Sequence, residues 1–235
     1  MKRFYAEATV GPRDEGGFGI LLDGRPVRTP ARAVLALPNA ALAEAVAREW
    51  AEQGEEIDPA SMALTGLANA AIDQIAPDPA AFAATVSVYG ESDLLCYRAD
   101  GPAELVERQA AQWQPLLDWA AARYEVTFAV TQGVLHVAQP EATLARLRAV
   151  TAAHPPFLLA PLSPLVGIPG SLVIGLAAAE AAFDLSLLWQ AAELDELWQA
   201  EQWGDDDEAL VRRARRHRDF TNAARFAALV REEAA

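Results

Sequence analysis

The stretch Phe18-Gly19-Ile20-Leu21-Leu22-Asp23-Gly24-Arg25-Pro26-Val27-Arg28-Thr29 decides how this chain begins to fold. Asp23-Gly24 sits between two short β-prone runs, and the two-residue turns that join antiparallel strands demand the positive φ that glycine accepts at no steric cost. The reading is a hairpin of Phe18–Leu22 against Arg25–Thr29. Working outward, Phe4, Ala6, Ala8 and Val10 alternate with Tyr5, Glu7 and Thr9 as one strand, and Ala33–Leu37 follows Pro30 as another. Pro38-Asn39 then opens a helix with Asn39 as N-cap and Leu42, Val46 and Trp50 on one face, ending at Gly54.

From Asp58-Pro59 onward the pattern is largely helical. Helical periodicity covers Ser61–Ile75, the segment launched by Asp78-Pro79, and Glu104–Tyr124, where Pro115 should kink or divide the helix. It resumes over about 142–153, 171–183, 185–203 and 206–233. A short hairpin is expected near 126–137, because Val126, Phe128 and Val130 alternate and Gly133 offers a turn. The fold class is therefore α+β: a small, antiparallel, β-rich N-terminal domain with a covering helix over 1–58, and a larger, mainly helical domain over 59–235.

A net charge of −14 disfavours nucleic acid and anionic lipid as partners and favours a basic one. Cys96 is the single cysteine, which excludes an intrachain disulfide and fits a reducing compartment. The uncharged run 157–179 is long enough to test as a membrane span. Pro161, Pro164, Pro169, Gly167 and Gly170 break its first half, leaving only about 171–183 as continuous helix, too short to cross.

Enzyme chemistry finds little support in the residues. His136, His154 and His217 are widely separated and share no ligand spacing, and no phosphate loop, nucleophile elbow or zinc-protease motif occurs. Neither a catalytic residue nor a cofactor or metal is expected. The carboxylates Asp205, Asp206, Asp207 and Glu208 after Gly204 fit a helix start better than a cation site, and the arginine run 212–218 reads as a solvated basic face.

The helix 185–203 carries the binding candidates. At about 100° per residue, Leu187, Leu188, Ala191, Leu194 and Trp198 make a core stripe, while Trp189, Glu196 and Trp203 recur every seven residues on another side, with Gln199 at its edge. Indoles flanking a carboxylate suit a protein-binding hot spot; the competing reading is a central helix packed on both sides, with Glu196 bonded to an arginine. Asp195 lies nearer the core stripe and reads as a buried, paired carboxylate.

Six segments in order carry a resemblance: Lys2-Arg3-Phe4-Tyr5, Leu22 to Pro30, Met62 to Asn69, Ser92 to Arg98, Gln112 to Leu117, and Leu194 to Gly204. The chain resembles, nearly end to end, the ATP synthase assembly chaperones of mitochondria and α-proteobacteria that bind the free α subunit of the F-type catalytic head. The resemblance implies an ATP-independent, non-enzymatic chaperone, monomeric when free, that shields the α subunit until the β subunit arrives. It also places the family's functional acidic residue in the segment with Asp195, Glu196 and Trp203; joined to the helix-face reading, the expected partner-binding residues are Trp189, Asp195, Glu196, Gln199 and Trp203. No leader is evident at Met1, so the bacterial cytoplasm is expected, or the mitochondrial matrix for a processed precursor. The alternatives are a metal-assisted hydrolase built on the Asp195 and Asp205 region, or a structural subunit of another complex.

Overall fold

A computed structural model describes residues 1–133, 135–204 and 206–232 of the chain. The N-terminal sheet places β1 (Ala8–Pro12) against β2 (Phe18–Leu22), and β2 against both β3 (Arg25–Pro26) and β4 (Ala36–Leu37), all antiparallel. Asp23 and Gly24 hold φ of 46° and 77°, so the turn between β2 and β3 forms as the sequence reads. The ladder begins at Ala8 instead of Phe4, because the turn itself anchors the preceding segment: Asp23 accepts the Ala6 and Glu7 N–H groups at 3.1 and 2.9 Å. Gly17 has φ of +74°, and a Cβ there would lie 2.6 Å from the Leu37 carbonyl oxygen, so the approach of β4 depends on glycine.

Helix α1 (Ala40–Ala51) covers this sheet. Asn39 caps it by accepting the Leu42 N–H at 2.9 Å, and the amide nitrogen of Asn39 donates to the carbonyls of Leu229, Val230 and Glu232. One side chain therefore caps the first helix and fastens the end of the last. The N-terminal core, which includes Ile20, Leu35, Leu37, Leu42 and Val46, also takes in Met62, Leu64, Ala68 and Phe226 from the helical region.

That region comprises α2 (Ala63–Ala70, continued by a π turn over Ala71–Ile75), α3 (Pro79–Ser87), α4 (Ala103–Tyr124), α5 (Glu141–Ala152), α6 (Pro156–Gly167), α7 (Leu172–Glu180), α8 (Leu185–Ala192), α9 (Leu194–Trp203) and α10 (Asp207–Arg231). The architecture is α+β. Three local expectations change. First, Pro161 and Pro164 lie inside α6, which is continuous where the sequence reads as broken. An interior proline costs roughly 3 kcal/mol in an isolated helix, but Leu159, Leu162, Leu165 and Val166 are fully buried, and such packing outweighs local propensity. Second, α4 likewise runs undivided through Pro115, held by the buried Trp113, Leu116, Leu117 and Ala120 on both sides of it. Third, among the described residues no ladder joins 126–130 to 135–137; β6 (Thr131–Gln132) pairs in parallel with β5 (Tyr97–Arg98). Gln139 substitutes for a hairpin by accepting the Ala129 N–H at 2.9 Å and donating to its carbonyl at 2.8 Å.

Among the described residues no helix is long and apolar enough to cross a membrane. The apolar run instead forms the centre of the molecule, where α7 is buried from Leu172 to Ala179. Gly175 is where α7 meets α6, and a Cβ there would run into the Val166 side chain and come within 3.1 Å of the Val166 Cα and N. Alanine has the better helix propensity by about 1 kcal/mol, yet backbone atoms cannot move aside. Gly175→Ala should therefore lower stability by a net of about 1–3 kcal/mol in urea unfolding; an unchanged or raised midpoint would contradict the close crossing.

Candidate partner-binding site

The segment expected as one helix over 185–203 is two, and the residue that divides it is Glu193. With φ of −103° and ψ of 8°, Glu193 ends α8 and precedes α9. Its side chain is fully buried, with Arg216 Nη2 at 2.9 Å from Oε1 and Arg213 Nε at 3.7 Å from Oε2. Burial pushes the Glu193 carboxyl above the usual range, and the Arg216 guanidinium opposes it. Arg216 also pairs through Nη1 with Glu196 at 3.1 Å and donates through Nη2 to the Ile168 carbonyl at 3.0 Å. A single guanidinium thus ties α10 to the helix break, to α9 and to the end of α6.

The break redistributes the binding candidates. Glu196, Gln199 and Trp203 lie together on α9 and line a groove of about 340 Å³ against the start of α10, shared with Ala209, Arg212 and Arg213. Trp203 is 80% exposed at the helix end. Trp189 does not join them: its ring packs 4.9 Å from His217 and 5.7 Å from Phe220. The seven-residue spacing holds from 196 to 203, within one helix, and fails from 189 to 196, across Glu193. Leu187, which the sequence placed in the core stripe, is 53% exposed on α8.

Asp195 faces the other way and accepts from Gln109 Nε2 at 2.7 Å. Gln109 in turn accepts the Ala99 N–H at 2.8 Å, and its carbonyl takes Arg98 Nη1 at 2.9 Å. The Arg98 guanidinium lies over the Trp113 ring, whose Nε1 donates to the Ala191 carbonyl at 2.8 Å. Arg108 bridges Glu104 and Glu201 while covering Trp198 at 4.8 Å. Together these bonds seat α8 and α9 on α4.

Among the described residues no group of three or more His, Cys, Asp or Glu is placed to hold a metal ion. Asp205 lies outside the described residues; Asp206 is the N-cap of α10 and accepts the Ala209 N–H at 2.6 Å. The Cys96 thiol is buried and pushed up to about 12, which leaves it protonated and a poor nucleophile. His136 meets Tyr97 and His154 meets the Val150 carbonyl, each apart from the others.

Sequence reasoning missed Glu193, Arg213 and Arg216. The run 212–218 reads as a solvated face, but Arg213, Arg216, Phe220, Ala223 and Ala227 advance by three and four residues, so these two arginines continue the buried stripe of α10 toward its start. A periodicity count extended through the charges would have found them.

On an α+β body, the short helices α8 and α9 carry an exposed indole and an arginine-braced carboxylate, an arrangement suited to contact with another polypeptide. A model of the family described as ATP12 chaperone protein matches residues 2–121. The chain is 43% identical to crystallised Atp12 from Paracoccus denitrificans, covering 98% of each chain at a TM-score of 0.93, and matches an aspartate-to-lysine mutant of that protein equally well. The Atu1473 protein of Agrobacterium tumefaciens is 42% identical, with a TM-score of 0.92, over 97% of this chain and 85% of that one. The chain belongs to the ATP12 chaperone family, which is the family its six segments resemble.

Proposed function

We propose that this protein is an ATP synthase assembly chaperone of the cytoplasm whose client is the unassembled α subunit of the F-type catalytic head, and that it acts by binding alone, without catalysing a reaction. It holds that subunit until the β subunit replaces it. Family membership supports the chaperone role, and the observation that carries the contact is Trp203, four-fifths exposed beside Glu196 on a braced helix. An orphan subunit presents an apolar flank that aggregates unless it is covered. The Trp203 indole supplies contact area, Glu196 can engage a client arginine, and Gln199 bonds at the edge. Trp189 and Asp195 contribute indirectly, by packing α8 on α10 and fixing α9 to α4.

The test is co-capture of isolated α subunit by the full chain. Wild type should retain it in soluble form, and Glu196→Gln and Trp203→Ala should each weaken retention about tenfold, the range of a single hot-spot residue, with melting temperatures unchanged. No retention by wild type would remove the client assignment; full retention by both folded variants would remove only the site.

A further inference from the structure

We propose that the N-terminal region carries a second docking groove, whose occupant is an extended acidic polypeptide segment with one apolar anchor residue. This goes beyond the α9 groove and does not depend on it. The groove, about 680 Å³, lies between the chain start, the β2–β3 turn and the end of α1. Two of the segments singled out in the sequence, Lys2 to Tyr5 and Leu22 to Pro30, converge on it, and the contact at α9 absorbs neither.

Three rings line it in sequence. Trp50 meets Tyr5 edge-on at 5.8 Å, and Tyr5 meets Phe4 edge-on at 5.4 Å. Tyr5 is held from two sides: its hydroxyl donates to the Trp50 carbonyl at 2.6 Å, and the Arg3 guanidinium lies 4.7 Å from its ring centroid. Tyr5 is buried, whereas Phe4 is 66% exposed, so the ladder runs from the core out into solvent. A large apolar side chain held at the mouth of an aromatic groove is surface suited to cover by a partner.

Charge identifies the partner. The charged side chains lining the groove are Arg25, Arg28 and Asp23. Asp23 spends its carboxylate on the Ala6 and Glu7 N–H groups, which hold it below the usual carboxylate range. The first 32 residues hold six basic and four acidic side chains, in a chain whose net charge is −14. An acidic ligand is therefore repelled by the molecule at long range and attracted at short range by the basic side chains that line this groove. A chaperone's ligands are polypeptides, and an extended chain advances about 3.3 Å per residue. An anchor on the rings can thus set a carboxylate one or two positions away against Arg25 or Arg28.

The experiment is calorimetric titration of the full chain with a capped peptide of alternating glutamate and aspartate around a central phenylalanine. The same peptide with glutamine and asparagine in place of the acids serves as the control, and vesicles of anionic phospholipid form a separate arm. The acidic peptide should bind, the neutral one about tenfold more weakly, with affinity falling as salt rises. Phe4→Ser and Arg25→Glu, both at exposed positions, should each lose about tenfold at unchanged melting temperature. Absence of binding by the acidic peptide, equal binding by both variants, or retention by vesicles without peptide binding would each overturn the proposal.

Discussion

Arg216→Ala should destabilise the protein by about 3 kcal/mol, which for a chain of this length corresponds to a melting temperature lower by roughly 6–12 °C. The size follows from what the substitution leaves behind. Glu193 is fully buried, and its nearest cation is the Arg216 guanidinium at 2.9 Å, with Arg213 farther at 3.7 Å. Removing one partner of a buried pair costs about 3–5 kcal/mol because the other charge stays desolvated; Arg213 places the expected loss at the low end. The Ile168 carbonyl also loses its donor. Replacing both partners, Glu193→Leu with Arg216→Met, should recover much of the loss, because the desolvated charge is then gone. A single-variant loss below about 1 kcal/mol, the range of a surface pair, would show that Glu193 is hydrated or paired elsewhere.

The same pair explains why the proposed contact face is only half legible in the sequence. Spacing within one helix is reliable, and Glu196, Gln199 and Trp203 come together as their numbers imply. Spacing across Glu193 is not, because a buried carboxylate drawn to two arginines of α10 can end a helix without a glycine or proline to mark the place. The indole of Trp189 therefore turns toward His217 and Phe220. Local signals elsewhere carried the fold well. The Asp23-Gly24 turn, the Asn39 and Asp78 caps and the stripe of α1 all act through residues adjacent in sequence. What failed was propensity set against packing: Pro161, Pro164 and Pro115 read as breaks, but each sits in a helix whose neighbours are buried. Tertiary burial is invisible to a local rule, and it decides those three positions.

Arg216 also connects stability to the α9 groove. Its Nη1 holds Glu196 at 3.1 Å, so the carboxylate proposed to meet the client is oriented by the group that neutralises the core. The brace limits Glu196 to part of its rotamer range, which lowers the entropy lost when a client arginine binds. It also divides the charge of Arg216 between two carboxylates, leaving Glu196, with its side chain 55% exposed, free to pair a second time.

The largest pH effect is expected from Asp93, which no surface argument would single out. It is fully buried and accepts the N–H groups of Leu95 at 3.1 Å and Val173 at 3.0 Å, while Ser171 accepts the Ile174 N–H at 3.0 Å. Asp93 thereby helps cap the central helix α7 from the loop before β5. Desolvation pushes its carboxyl up to about 6, against the hydrogen bonds from Val173, Ser171, Leu95 and Leu172 that pull it down. The unfolded chain titrates near 3.9, so between about pH 4 and 6 the folded state holds a proton that the unfolded state has released. This contribution to stability is complete below about pH 4 and is lost as pH rises through about 6, a change of roughly 3 kcal/mol for two pKa units. Asp93→Asn removes the titration while retaining the shape. Its amide nitrogen faces backbone donors, so absolute stability falls, and the informative quantity is the difference from wild type measured by urea unfolding from pH 4 to 7. Over this range wild type should hold its greatest advantage at pH 4 and give up about 2 kcal/mol of it by pH 7. Subtraction cancels Glu193, whose raised carboxyl is common to both proteins. A difference that stays level across this range would mean that the α7 cap remains ionised throughout and that its hydrogen bonds outweigh the cost of burial.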